Sequence, residues 1–199
     1  TENRVWVSYD KIPLDLVHAA IAIEDKRFRE HNGVDWVRTL SAIANFAGGD
    51  SSYGASTITQ QLIKNLTHED DVTVNRKVQE IFTALAAEKL YTKDEIMEWY
   101  LNTIYLGEGC FGVQSAARVY FGKDVSELTT AECASLIGIT NNPSLYDPYV
   151  SEKNNRKRQL TILKEMFDQG YIKTREEYET AADQELVFRN GTYDEETYV

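Results

Sequence analysis

Three prolines in 199 residues leave long stretches in which nothing interrupts helical periodicity, and this constrains the chain more than any other feature. The spacing predicts helices over residues 14–28, 35–47, 57–66, 74–91, 93–102, 111–120, 130–138, 152–169 and 174–184, with strands scarce. Thr92 before KDEI, Thr130 before AECASLIGI and Thr174 before REEYETAA read as N-caps, each followed by acidic residues that suit a helix's positive end. Only residues 48–54, GGDSSYG, read as freely mobile, and no internal repeat or low-complexity segment occurs. The expected class is mainly α.

Within the first of these helices Leu14, Val17, Ile21 and Phe28 recur on one stripe, and Glu24 falls on it. Full burial of a lone carboxylate raises its pKa by roughly 3 to 5 units, which would make a proton acceptor useful near neutral pH. The plainer alternative is a helix that ends early and turns Glu24 and Asp25 to water.

A net charge of -11 and a pI of 4.8 argue against nucleic acid as the main partner, since phosphate neutralisation needs a basic face. Residues 1–66 hold 7 basic and 8 acidic side chains, so this third can approach an anionic surface with less repulsion than the rest. No run reaches the roughly 18 to 20 apolar residues of a membrane span. The start TENRVWVSYDKIP is not a signal peptide, and the missing initial Met suggests a segment upstream. Cys110 and Cys133 lack zinc-ligand spacing and are read either as one disulfide or as two buried thiols. His18, His31 and His68 form no metal pattern.

Three segments carry candidate chemistry. YGASTITQQLIKN, residues 53–65, is rich in hydroxyls and amides with one charge, Lys64; Thr57 and Gln60 have capping-box spacing. Its helix start would suit an anion, or would be an ordinary cap. In NRKVQEIFTALAAEKL the apolar stripe is Val74, Val78, Ile81 and Leu85, while Arg76, Lys77 and Glu80 share another face beside small residues. That cluster reads either as a cleft lining or as a solvated ion pair, and Glu88, continuing the stripe, outranks Glu80 on periodicity alone. Further on, a glycine-punctuated turn spans Gly107–Gly112, with Tyr100, Tyr105, Phe111, Tyr120 and Phe121 mostly core; Arg156, Lys157 and Arg158 open a later helix.

Taken together, IAIEDKRFREHNGVD, GASTITQQLIKN, RKVQEIFTALAAEKLYTKDEIMEWYLNTIYLGEG, FGVQSAARVYFGKD and LTTAECASLIGITNNPSLYDP resemble the peptidoglycan glycosyltransferase domain. That family includes the amino-terminal half of class A penicillin-binding proteins and the monofunctional transglycosylases. The resemblance implies a lysozyme-like fold, a large helical lobe and a smaller membrane-facing jaw around a cleft, with the jaw segment at about 40–56. It runs through roughly residues 10–185, so residues 1–185 are read as one domain and 186–199 as a tail or the start of a linker to a possible transpeptidase domain. The implied reaction is inverting polymerisation of lipid II into β-1,4 glycan strands with release of undecaprenyl diphosphate. Glu24 would be the base on the acceptor 4-hydroxyl and Glu80 would assist diphosphate departure, the family here correcting the periodicity that favoured Glu88. Ser56, Gln60, Gln61, Lys64, Asn65, Arg76, Lys77 and Asn102 would bind substrate, with Asp25, Phe28 and His31 supporting the base. A divalent cation, Mg²⁺ or Mn²⁺, would bridge the substrate diphosphate without a dedicated protein site.

The same resemblance implies lipid II, nascent glycan, the membrane surface, a moenomycin-type phosphoglycolipid and cell-wall synthesis proteins as partners. It places the protein at the extracytoplasmic face of a bacterial membrane, anchored by a transmembrane helix outside this sequence. The transpeptidase combination SxxK, SxN and KTG is not present. Two other readings stay open: a lysozyme-like enzyme that cleaves glycan, and an inactive scaffold that binds the precursor.

Overall fold

Helices dominate because their ends are supplied with caps as well as apolar faces. The structure, a computed structural model, describes residues 3–48, 54–67 and 73–189. Among these, ten α-helices form: α1 (Leu14–Glu24), α2 (Trp36–Ala47), α3 (Ile58–Thr67), α4 (Val74–Leu90), α5 (Lys93–Thr103), α6 (Val113–Phe121), α7 (Thr130–Ile137), α8 (Pro143–Tyr146), α9 (Glu152–Asp168) and α10 (Arg175–Asp183). Two-residue strands β1 (Asn3–Arg4) and β2 (Cys110–Phe111) pair in parallel, with Asn3 opposite Cys110 and Arg4 opposite Phe111. The mainly helical expectation holds. The short α8 and the 3₁₀ turns at Tyr9–Lys11 and Val125–Glu127 were too brief for periodicity to reveal.

The caps follow local chemistry. Thr92 and Glu95 form a reciprocal capping box at 3.2 Å in each direction, and the Thr174 hydroxyl accepts the Glu177 N–H. The cap of α7 is Thr129 rather than Thr130, because Thr129 has Glu132 three positions on and the two cap each other. Thr130 instead donates its hydroxyl to Asp15 at 2.6 Å.

The chain divides into two compact units. The larger comprises Thr1–Ile23 and Leu101–Val199. In it α7, α8 and α10 pack on α9, around Leu136, Ile162, Leu163 and Met166. Buried amides join these helices: Asn155 donates to the carbonyls of Ser135 and Tyr146, and Gln159 to that of Ala131. Gly112 is required as glycine, since its φ is +88° and a Cβ would lie 2.7 Å from the Asn102 carbonyl oxygen. Phe188 packs on Phe121 and the Arg189 N–H donates to the Tyr120 carbonyl, so the expected tail starts with contacts to this unit. Cys110 and Cys133 are both buried and free, which settles the choice for thiols. Tyr100 and Tyr120 are fully buried as expected, whereas Tyr105 is 44% exposed.

Glu24–Tyr100 forms the smaller unit, in which α3 packs on α4. Its core includes Phe28, Ile58, Leu62, Ala84, Ile96 and Met97. Two expectations change here. Val74 and Val78 do not form a buried stripe; Val74 is 83% exposed, and Ala84 is the fully covered position of α4. The first helix ends at Glu24 rather than at 28, and residues 26–30 form turns. His68 and residues 49–53 of the glycine-rich stretch lie outside the described residues, as do residues 190–199 of the tail.

Candidate active site

Glu24 is the last residue of α1, half-buried, and its Oε2 accepts a hydrogen bond from Gln61 Nε2 at 3.3 Å. The early-ending helix of the plainer reading is therefore real, but Asp25 does not turn to water. It is 1% exposed, and its Oδ2 accepts both His31 Nε2 at 2.7 Å and the backbone N–H of Ile58 at 3.0 Å. These tertiary bonds replace the helical turn that periodicity anticipates. Asp25 Oδ1 is buried without a hydrogen-bond partner among the described residues.

The tautomer of His31 follows from its neighbours. The Gly33 N–H points to His31 Nδ1 at 3.0 Å, so Nδ1 accepts and the ring proton sits on Nε2, directed at the Asp25 carboxylate. Phe28 lies edge-on to His31 at 6.1 Å, and Lys93 Nζ stands 4.6 Å from the centre of the Phe28 ring.

α3 starts on this platform. Thr57 and Gln60 cap each other, the Thr57 N–H donating to Gln60 Oε1 at 2.9 Å and the Gln60 N–H to Thr57 Oγ1 at 3.1 Å. The Thr57 hydroxyl also donates to the Gly33 carbonyl at 2.7 Å. Gln60 is consequently buried, its carbonyl engaged by the cap, whereas Gln61, Lys64 and Asn65 share a face that reaches the surface. Ser56 precedes the cap and accepts from Lys77 Nζ at 2.8 Å.

Lys77 Nζ also donates to Glu80 Oε1 at 2.6 Å, and the Glu80 side chain is only 15% exposed. Arg76, the residue before Lys77 on α4, is half-buried. Glu88, favoured by periodicity, has a different place: its Oε1 accepts from Thr59 Oγ1 at 2.8 Å and Lys93 Nζ at 2.7 Å, an enclosed brace between α3, α4 and α5. Asn102 belongs to the other unit, fully buried, with its side-chain amide bonded to both the N–H and the carbonyl of Val7. The structure thus gathers Glu24, Asp25, Phe28, His31, Ser56, Gln60, Gln61, Lys64, Asn65, Arg76, Lys77 and Glu80 into one compact unit, and assigns Asn102 a structural contact elsewhere.

Residues 1–167 match the family described as Transglycosylase. The chain belongs to that family. Among similar sequences, penicillin-binding protein 1A of Escherichia coli (strain K12) is 47% identical over 173 residues, 86% of this chain and 20% of its own length. Penicillin-binding protein 1A of Streptococcus oralis is 43% identical, covering 91% of this chain and 29% of the relative. A putative transglycosylase of Cupriavidus necator is 44% identical, covering 88% of this chain and 76% of the relative. The chain therefore spans less than a third of these two penicillin-binding proteins. The crystal structure of penicillin-binding protein 1A from Haemophilus influenzae superposes with a TM-score of 0.57 at 25% identity, covering 94% of this chain and 18% of that one.

Further contacts, to which the motifs assign no role, organise this candidate site. Arg27 grips Asp35 through two bonds of 2.9 Å, and Asp35 caps α2 by accepting the Arg38 N–H at 3.1 Å. Burial pushes the Asp35 carboxyl up, but the bonds from Arg27 and Arg38 outweigh it and hold the group below its ordinary value. The hydrogen bond to Asp35 in turn raises Arg27. Arg38 Nη1 then donates to the Glu24 carbonyl at 2.5 Å. An Asp three residues before Arg38 is a legible cap signal; the partner of the Arg38 side chain is not.

Proposed function

We propose that this chain is an inverting peptidoglycan glycosyltransferase that polymerises lipid II into β-1,4 glycan strands and releases undecaprenyl diphosphate. The observation that carries the reading is the pairing, inside one compact unit, of a half-buried Glu24 steadied by Gln61 with a separate Lys77–Glu80 pair tied to Ser56. Inversion requires the attacking hydroxyl on the face opposite the leaving group, so a base and a leaving-group stabiliser have to occupy separate positions. Glu24 takes the proton from the acceptor 4-hydroxyl. Ser56, only five residues before Gln61, ties the base to the second carboxylate through the start of α3.

Lys77, Arg76 and Lys64 meet the charge that develops on the departing diphosphate, and such placed cations contribute on the order of 3 kcal/mol each in a partly dry site. Lys77 also compensates Glu80, which lets a carboxylate stand beside an anionic leaving group. Among the described residues no group of three or more His, Cys, Asp or Glu side chains comes together to hold a metal. A divalent cation, Mg²⁺ or Mn²⁺, bound with the substrate diphosphate would supply charge neutralisation there, and Glu80 is the carboxylate that would help hold it. Asn65 and Gln61 orient sugar and phosphate oxygens, and a moenomycin-type phosphoglycolipid would occupy the same cations.

Among the described residues no helix is long and apolar enough to cross a membrane. α2 instead exposes Trp36, Val37, Leu40 and Ile43 on one face, each more than half accessible, a stripe suited to a lipid surface. We place the protein there, at the extracytoplasmic face where lipid II is consumed. The deciding experiment supplies lipid II and preformed glycan separately to the wild type and Glu24→Gln. Strand growth from lipid II, abolished in the variant with folding retained, is expected; shortening of preformed glycan, or full activity of the variant, overturns the assignment.

A further inference from the structure

The carbonyls at the end of an α-helix have no intrahelical partners, and this end is where Glu24 sits. In this chain the Glu24 carbonyl receives a guanidinium N–H from Arg38 at 2.5 Å. A cation at this end also meets the negative pole of the helix dipole. The root of Arg38 is fixed independently: its backbone N–H donates to Asp35, and Asp35 is clamped by two bonds from Arg27. Residues 24–38 therefore form a loop closed on itself, with Glu24 at one end and Arg38 at the other. Around α2 the Arg38 position lies opposite the exposed face of Trp36, Val37, Leu40 and Ile43, so a surface that holds the stripe also holds the guanidinium.

We infer that Arg38 is a positioning residue, which through the Glu24 carbonyl holds the end of α1 and so keeps the Glu24 carboxylate at its working place. This rests on the proposed role of Glu24 as base. Arg38 itself touches no reacting atom in this scheme. Its loss acts on the turnover step, because a carboxylate displaced by about 1 Å can lose up to a hundredfold in rate. Substrate contacts on α3 and α4 stay in place.

The test compares wild type, Arg38→Ala, Arg38→Lys and Glu24→Gln in steady-state lipid II polymerisation, with binding of moenomycin measured alongside. Arg38→Ala should lower kcat by between about tenfold and a hundredfold, leaving KM and the inhibitor Kd within about twofold. Arg38→Lys, which can still donate to the carbonyl, should recover most of the loss and decides the matter if the alanine variant does not fold. Unchanged kcat, parallel losses in KM and inhibitor binding, or a lysine variant no better than alanine would each overturn the inference. An active Glu24→Gln sinks the base assignment itself, whereas an inactive Glu24→Gln beside a fully active Arg38→Ala sinks only the positioning role.

Discussion

The Asp25 carboxylate joins His31 to the first helical residue of α3, accepting from the imidazole at 2.7 Å and from the Ile58 N–H at 3.0 Å through the same oxygen. Both donors converge in a place that is closed to solvent, directly after the proposed base. The geometry of Gln61, and through it of Glu24, depends on this oxygen.

Asp25→Asn keeps the shape but turns a shared acceptor into an amide that satisfies the two donors less well. A buried, charge-assisted arrangement of this kind contributes about 1.5 to 3 kcal/mol per bond. Urea denaturation should show a loss in that range. Lipid II polymerisation should fall with it, because α3 loses its anchor. A variant as stable and active as the parent would remove Asp25 from the site's support.

Lys77 and Lys64 should separate in their effects. Lys77→Met strands the mostly covered Glu80 carboxylate and breaks the Ser56 contact, so both diphosphate binding and turnover should drop. Lys64 is exposed on α3, and Lys64→Ala should weaken diphosphate-bearing ligands more than neutral glycan. Titration of each variant with both ligand classes reads this directly; equal losses for Lys64→Ala would contradict its role.

At Gly33 the backbone has φ +112°, and an added Cβ would stand 2.7 Å from the Ala84 carbonyl oxygen. Gly33→Ala should therefore cost about 1 to 3 kcal/mol, from backbone strain and the forced separation of the loop from α4. Thermal denaturation checks it. An unchanged midpoint would mean that the loop and α4 move apart freely.

Stability should respond to acid with a definite sign. Asp35 lies below its ordinary pKa in the fold, so its contribution is complete above the unfolded carboxylate value, about 3.9, and disappears as pH falls through the folded one. Arg27→Met should flatten that acid limb. Glu108 has the opposite sign: hydrogen bonding with Asp147 raises it, so its contribution is present at low pH and is lost as pH climbs through the unfolded value towards the folded one. Urea titrations from about pH 2 to about pH 7, a range that runs below the ordinary carboxylate values as well as above them, would resolve the two limbs, and Glu108→Gln should remove the second.

Much of this molecule is legible in its sequence. Helical periodicity depends on neighbours three and four residues apart, so long helices such as α4 and α9 emerged with ends displaced by one residue at most. Caps depend on spacings of three, and Thr57 with Gln60, Thr92 and Thr174 read correctly; Thr129 displaced Thr130 because Glu132 was the decisive partner. The candidate site residues could be proposed from their motifs because residue type and order are properties of the chain.

The tertiary structure alone decided which side chains share a place. Periodicity promoted Glu88 and buried Val74 and Val78, but packing of α3 on α4 enclosed Glu88 with Thr59 and Lys93 and left both valines in solvent. It also stopped α1 at Glu24, since Arg38 takes that residue's carbonyl while His31 and Ile58 occupy Asp25. Contacts between residues 14 to 37 positions apart carry no short-range signature, because the energy that selects them arises only when separate segments meet and exclude water.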